Sequence, residues 1–66
     1  MQIKLNGEPL VLTDNATLSV LIQQLALEGQ RYAIEVNEEI VSRSLHASFG
    51  LNEGDQVEVV QAIGGG

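Results

Sequence analysis

Hydrophobic and polar residues alternate at both ends of the chain, as in strands with one buried face. Residues 2–5 read Gln-Ile-Lys-Leu and residues 56–61 read Gln-Val-Glu-Val-Val-Gln, so both segments are predicted to be β-strands. The Asn6-Gly7 pair follows the first of them and predicts a tight hairpin, because both residues tolerate a positive φ. Residues 10–13 are expected to be the returning strand, with a proline just before them, where a missing N–H is tolerated.

A helical period follows the hairpin. Four apolar residues recur at i, i+3, i+4 and i+7 and therefore share one helix face: Leu18, Leu21, Ile22 and Leu25. Several residues before them can cap the amino end, namely Asp14, Asn15 and Thr17, and Gly29 is a candidate carboxyl-terminal stop. A helix of about three turns is predicted, at 3.6 residues per turn.

Extended segments return after the helix. Residues 32–36 are predicted to be a strand, and a turn at 37–39 leads to a short strand at 40–41. Residues 42–49 are irregular and are expected to form one loose helical turn anchored by two apolar side chains, Leu45 and Phe49.

This order of elements predicts an α+β fold of the β-grasp type. The first and last strands would lie side by side, parallel, in the middle of a mixed sheet of four to five strands, with one helix packed on one face. Residues 1–61 would form the domain and residues 62–66 a flexible tail. The helix stripe is expected to pack onto the inward residues of the strands: Ile3, Leu5, Ile34, Val36, Val57 and Val59.

Composition and charge narrow the classes of function. The 66 residues include no cysteine and one histidine, which excludes disulfides and disfavours a structural zinc site. Three basic against nine acidic residues, a net charge of −6, argue against binding nucleic acid. The acidity either confers solubility or favours docking onto a basic partner. Since the sequence has no secretory leader and no apolar run of ~20 residues, we expect a cytoplasmic protein without a membrane partner.

The chain offers no catalytic constellation. Without cysteine, and with His46 alone, neither a Cys/His pair nor a Ser/His/Asp triad can be assembled. We interpret His46 as an ordinary surface or turn histidine. The acidic residues of the predicted turns are interpreted as solvated: Glu38, Glu39, Glu53 and Asp55. The chain is therefore predicted to be no enzyme by itself, and to bind no metal or cofactor.

The unusual feature is the glycine run that ends the sequence. Gly64, Gly65 and Gly66 follow the last strand and add nothing to a core. One interpretation is a frayed terminus. The other is a thread for a narrow channel in another protein, because glycine has no side chain. Residues 62–66 would reach roughly 17 Å, at ~3.3–3.6 Å per residue. A carboxylate at Gly66 could then be adenylated and exchanged for a thiocarboxylate.

Several segments resemble the thiamin-biosynthesis sulfur carriers (ThiS type). They are the Met-Gln-Ile start, the Asn6-Gly7 hairpin, residues 35–43 (Glu-Val-Asn-Glu-Glu-Ile-Val-Ser-Arg), residues 54–57 (Gly-Asp-Gln-Val) and the ending Ile63-Gly64-Gly65-Gly66. The resemblance covers essentially the whole chain. Ser42 stands where many members have proline, which affects a turn and not the chemistry.

The resemblance implies a β-grasp carrier with three partners. An activating enzyme of the ubiquitin-activating type would use ATP and magnesium to adenylate Gly66. A persulfide relay would then deliver sulfur, and thiazole synthase would take the sulfur from the thiocarboxylate. In this scheme Ile63, Gly64 and Gly65 thread the partner's active site.

Two alternatives remain open. The small subunit of molybdopterin synthase shares the fold, the tail and the adenylation, but those chains are typically longer and approach the diglycine through a proline-containing segment. Residues 60–63 contain no proline. A ubiquitin-like binding module that carries no sulfur is the second alternative, and it would tolerate residues after Gly66.

A docking surface is predicted from strand parity. Val11, Val41 and Val60 have the opposite parity to the expected inward residues of their strands, so they should emerge on the face away from the helix. Glu35 and Glu58 share that face and would rim an apolar patch. We expect this face, with the tail, to bind the activating enzyme and thiazole synthase in turn.

Overall fold

The computed structural model describes residues 1–61, which contain a five-stranded mixed sheet and one α-helix. In chain order the elements are β1 (Gln2–Leu5), β2 (Glu8–Val11), α1 (Leu18–Gln24), β3 (Tyr32–Val36), β4 (Glu39–Val41), a 3₁₀ turn (Arg43–Leu45) and β5 (Gln56–Gln61). The strand order across the sheet is β2-β1-β5-β3-β4. β5 pairs parallel with β1 and antiparallel with β3, so the predicted β-grasp fold is confirmed. The predicted tail, residues 62–66, lies outside the described residues.

Two tight turns set the register of the sheet. Asn6 and Gly7 have φ of 50° and 85°, and Asn37 and Glu38 have φ of 51° and 71°. Each pair forms a two-residue hairpin loop, the turn type that needs positive φ at both positions. Leu5 therefore faces Glu8 across the first turn, and β2 begins two residues earlier than predicted. Proline lies inside β2, which is an edge strand and so tolerates it.

The helix is shorter than predicted. Thr17 caps its amino end, with its Oγ1 accepting a hydrogen bond from the Val20 N–H at 3.4 Å. The carboxyl end comes before Gly29, because Ala26 adopts a φ of +56°. The Ala26 N–H donates to the Gln23 carbonyl and the Leu27 N–H to the Ile22 carbonyl. These two bonds form a Schellman motif, here with alanine in the position that usually holds glycine.

The core lies between α1 and one face of the sheet, as predicted. Leu18, Leu21 and Ile22 of the helix are buried, and the buried sheet residues are Ile3, Ile34, Val36, Val41 and Val57. Four half-buried side chains pack against the edge of this core: Leu5, Leu25, Phe49 and Val59. Leu45, expected as an anchor, is 52% exposed, so that part of the prediction is wrong.

Two polar residues expected at the surface are buried. His46 lies in a turn, as one of its two interpretations had it. It is nevertheless buried, and its Nε2 lies 3.0 Å from the Val41 carbonyl oxygen, so its interpretation as a surface histidine is wrong. Asp55 is also buried and accepts hydrogen bonds from the Asn52 N–H at 2.8 Å and the Asn37 side-chain amide at 3.1 Å. Asp55 therefore ties the two turns at one end of the sheet together.

Within residues 1–61 no helix has the length and apolarity needed to cross a membrane.

Candidate functional site

The carboxyl end of β5 is the place from which the chain continues into residues 62–66. The end of β1 pairs with the beginning of β5, where Lys4 lies opposite Gln56 and Leu5 opposite Val57. Beyond that point the Asn6 side chain takes the place of a strand. Its Oδ1 accepts from the Val59 N–H at 2.9 Å and its Nδ2 donates to the Val59 carbonyl at 3.4 Å. On the other side β3 accompanies β5 up to the pair Gln61 and Tyr32. The last described residue thus stands beside the start of β3.

The residues expected to act in the tail fall beyond the described part of the chain. Ile63, Gly64, Gly65 and Gly66 have no described position, so their roles stay predictions.

The sheet face away from α1, here called the open face, carries two of the three predicted valines. Val11 is 71% exposed and Val60 is 63% exposed, as predicted. Val41 is buried, with 7% exposure, because it pairs with Ile34 and shares its covered face. The prediction for Val41 is therefore wrong, and Ile40, at 77% exposure, takes its place on the open face.

Register separates Val11 from Val60. Val11 pairs with Gln2, two residues before Lys4, whereas Val60 lies four residues beyond Gln56, the partner of Lys4. The two valines are thus about 20 Å apart along the strands, at ~3.3 Å per residue. They cannot belong to one cluster, so the predicted patch is wrong in this respect too.

A smaller patch remains near the end of β5. Val60 pairs with exposed Ala33, and in the next row Glu58 pairs with Glu35, which pairs in turn with Ile40 on β4. We call these five residues the open-face patch. It combines exposed apolar side chains with two acidic ones, as the sequence predicted for Glu35 and Glu58.

The two acidic residues of the patch lie directly opposite each other. Like charges in such a cross-strand pair destabilise a sheet. Glu35 and Glu58 therefore contribute no favourable charge interaction to each other within the fold.

Beside the patch lies a group of aromatic and cationic side chains. The Arg43 Cζ lies 4.3 Å from the centre of the Tyr32 ring, and its Nη2 donates to the Gln30 carbonyl at 2.9 Å. The Tyr32 ring is also stacked with His46, at 6.1 Å between ring centres. The 3₁₀ turn is thus attached to the start of β3, next to the end of β5.

Comparison with known proteins identifies the family. The model of the ThiS family matches residues 3–66. The chain belongs to the ThiS family. It is 32% identical over 66 residues to the sulfur carrier protein ThiS of Escherichia coli K12, with both chains covered completely. The crystal structure of ThiS from Geobacter metallireducens superposes with a TM-score of 0.84, at 25% identity and complete coverage of both chains.

A longer relative also contains this ThiS-like segment. A thiazole synthase from Magnetococcus marinus is 42% identical to the whole of the present chain. The present chain spans 20% of the length of that relative.

The strand parity of β4 could have been predicted correctly in this ThiS-family chain. A two-residue loop at Asn37 and Glu38 places Glu39 opposite Val36, which puts Val41 on the covered face. The predicted turn at 37–39 was one residue too long and so left Glu39 outside the strand. The Arg43–Tyr32 contact has no comparable signal, because these residues are distant in sequence and meet only through the 3₁₀ turn.

The described part of this ThiS-family chain, residues 1–61, holds no group of three His, Asp or Glu side chains suited to a metal ion.

Proposed function

We propose that this ThiS-family chain is a sulfur carrier of thiamin biosynthesis and that the carboxylate of Gly66 carries the sulfur. An activating enzyme attaches the adenylyl group of ATP to this carboxylate and releases pyrophosphate. The outer sulfur of a persulfide (R–S–SH) then attacks the acyl carbon and displaces AMP, which gives an acyl disulfide. A thiol cleaves the S–S bond of this intermediate and is itself oxidised to a disulfide with R–S, which leaves a thiocarboxylate on Gly66. Thiazole synthase takes the sulfur from it.

The observation that carries this proposal is the match of the ThiS family over residues 3–66, which includes the glycine run. The geometry of β5 supports it. The strand is held firmly by β1 and β3 at its beginning, and its end projects past β1. Residues 60–61 thus lie beyond the last residue of β1 and are still paired with β3.

The chain supplies the acyl group and a binding surface, and its partners supply the catalysis. ATP and magnesium belong to the activating enzyme, and this chain binds no cofactor of its own. It acts as a co-substrate in the cytoplasm, where the activating enzyme and thiazole synthase work. The ThiS-like segment in the thiazole synthase from Magnetococcus marinus supports thiazole synthase as a partner.

The open-face patch is the proposed docking surface for both enzymes. Val60 and Ile40 offer apolar area in a fold whose own core does not use them, and Glu35 and Glu58 attract basic groups. Because both enzymes must reach the same tail, they bind one at a time. The docking surface thus keeps three of the predicted residues and contains Ile40 in place of Val41. Val11 is excluded from it because of its distance from Val60. The residues kept are Val60, Glu35 and Glu58.

Mass spectrometry tests the chemistry. The chain is incubated with the activating enzyme, ATP, magnesium, a persulfide donor and a thiol reductant. An increase of about 16 Da, sulfur for oxygen, is expected at the carboxyl end. A variant with one residue added after Gly66 is the control and should remain unmodified. Thiocarboxylation of the extended variant at its new end would contradict the narrow-channel argument. Sulfur transfer to a molybdopterin precursor but not to thiazole would favour the molybdopterin synthase alternative. The absence of any modification would favour a binding module that carries no sulfur.

The docking surface is tested by a matched pair of substitutions. Val60→Asp should weaken both complexes, because it places a charge in the middle of the proposed contact. Val11→Asp makes the same change on the same face, about 20 Å away along the strands, and should bind normally. Equal binding of the two variants, or simultaneous binding of both enzymes to the wild type, would show that the shared surface is wrong.

A further inference from the structure

The few basic residues of this acidic chain are unevenly placed. The sequence contains three of them against nine acidic residues: Lys4, Arg31 and Arg43. Two of the three line one shallow groove of about 420 Å³, together with Tyr32, Ala33 and Val60. A cationic groove thus overlaps the open-face patch at Val60 and Ala33, near the end of β5.

One of the two guanidinium groups is held in place. Arg43 lies over the Tyr32 ring and donates to the Gln30 carbonyl. An arginine presents five N–H donors in a rigid planar fork, and a single bond to Gln30 leaves donors available. Since its position is already fixed, Arg43 loses little conformational freedom when it binds a ligand.

Neither arginine is neutralised by the described part of the fold. Among residues 1–61 the ion pair within 4.0 Å joins the amino terminus to Asp14, far along the chain from both arginines. Glu28 lines the neighbouring cleft with Arg43 but does not form an ion pair with it. The floor of the groove is apolar, because Val60 and Ala33 are exposed there.

We propose that this groove binds a carboxylate side chain of the activating enzyme, on a segment that also carries an apolar residue. The carboxylate would lie between Arg31 and Arg43, and the apolar neighbour would cover Val60 and Ala33. Arginine forks match carboxylates in geometry and charge, and arginine and tyrosine are enriched among the residues that dominate protein interfaces. This inference rests on the proposed function, since it supposes that the activating enzyme takes up the tail.

The groove gives the interface a direction. The acidic pair Glu35 and Glu58 lies in the row next to Val60 and Ala33, so positive and negative regions stand side by side. A partner with the complementary arrangement is bound in one orientation, because an inverted approach would bring like charges together. Such an arrangement would hold the chain with β5 aimed at the active site.

The test compares two charge reversals that change the net charge equally. Arg31→Glu removes one side of the groove, and Arg31 makes no hydrogen bond with its side chain that the fold would lose among residues 1–61. Lys4→Glu is the matched control, because Lys4 is exposed on β1, away from the groove. We expect Arg31→Glu to raise the Kd for the activating enzyme about 10-fold or more and Lys4→Glu to raise it less than about 2-fold.

Kinetics and salt separate docking from other roles. Pyrophosphate release should show a raised KM for Arg31→Glu and an unchanged kcat at saturation, because the reacting group is elsewhere. The loss of affinity caused by Arg31→Glu should be smaller at high salt, because salt screens the charges. Arg43→Lys keeps the charge but loses the planar fork. Its Kd for the activating enzyme should lie between those of the wild type and Arg31→Glu.

The outcomes distinguish the two proposals. If the wild type releases pyrophosphate normally and Arg31→Glu behaves as Lys4→Glu does, this inference is overturned and the proposed function stands. If the wild type binds no activating enzyme and releases no pyrophosphate, the proposed function fails and the inference fails with it. A third outcome is that inorganic phosphate alone causes saturable NMR shifts at Arg31 and Arg43, while Arg31→Glu binds the activating enzyme as tightly as the wild type does. The groove would then be a site for a small anion, and the proposed protein carboxylate would be wrong.

Discussion

The two faces of the sheet contain similar aliphatic residues and use them differently. On the covered face Ile3, Ile34 and Val57 are each 1% exposed, whereas on the open face Val60 is 63% and Ile40 is 77% exposed. Apolar side chains stabilise a fold in proportion to the area that they remove from water. The covered residues therefore contribute to folding, and those on the open face remain available to a partner.

The faces also differ in charge. The covered face has aliphatic residues across from one another, such as Ile34 and Val59 or Val36 and Val57. The open face sets Glu35 against Glu58 between them. A small domain has a narrow margin of stability, and a repulsive pair in the middle of its sheet is compatible with the docking surface proposed above.

Truncation on the covered side should have the largest effect. Leu21→Ala removes a fully buried side chain and should lower the free energy of unfolding by about 2–5 kcal/mol, measured by urea denaturation. Val60→Ala on the open face should lower it by less than about 1 kcal/mol while it weakens partner binding. Similar losses of stability in the two variants would contradict the division between the faces.

Asp55 extends the contrast to polar groups. Its carboxylate is buried at one end of the sheet and accepts bonds from Asn37 and Asn52. Asp55→Ala should lower the free energy of unfolding by about 2–3 kcal/mol, since hydrogen bonds to a charged group are worth roughly 1.5–3 kcal/mol each. Asp55→Asn is the matched control, because it keeps the shape and one acceptor oxygen, and it should lose less. An Asp55→Ala variant as stable as the wild type would mean that these bonds are replaced by water.

A substitution at the carboxyl end of α1 should increase the stability of the fold. Ala26 has a φ of +56°, a conformation that glycine adopts without strain. Ala26→Gly should raise the free energy of unfolding by about 0.5–1 kcal/mol, seen as a higher Tm. Ala47→Gly, at an exposed position outside the positive-φ set, should lower it instead. A gain in both variants would exclude relief of backbone strain as the cause.

The smallest effect is expected from the acidic pair. Glu58→Gln removes the repulsion with Glu35 and should raise the free energy of unfolding by about 0.2–1 kcal/mol, with the gain reduced in high salt. The same variant should bind the activating enzyme more weakly. Glu8→Gln, on the edge strand opposite Leu5, is the control and should change neither property. A loss of stability in Glu58→Gln would show that the pair is not repulsive.

The sequence by itself determined the β-grasp fold, the helix stripe and the covered side of most strands. Periodicity was sufficient there, because Leu18, Leu21 and Ile22 repeat at helical spacing and the alternation in β1, β3 and β5 has a single buried parity. The glycine run and the family resemblance likewise follow from the order of residues alone. These features depend on local pattern, which a sequence displays directly.

Which exposed residues lie together depends on contacts between segments that are distant in sequence. The parity of β4 is an exception with a local cause. Its adjacent aliphatic residues have no preferred parity, and the two-residue loop at Asn37 and Glu38 places Val41 on the covered face. The distance between Val11 and Val60 depends on the parallel register of β1 and β5, which joins segments about fifty residues apart. His46 is buried, and Arg43 meets Tyr32, for the same reason. Such contacts arise from packing between distant segments, and no local pattern encodes them.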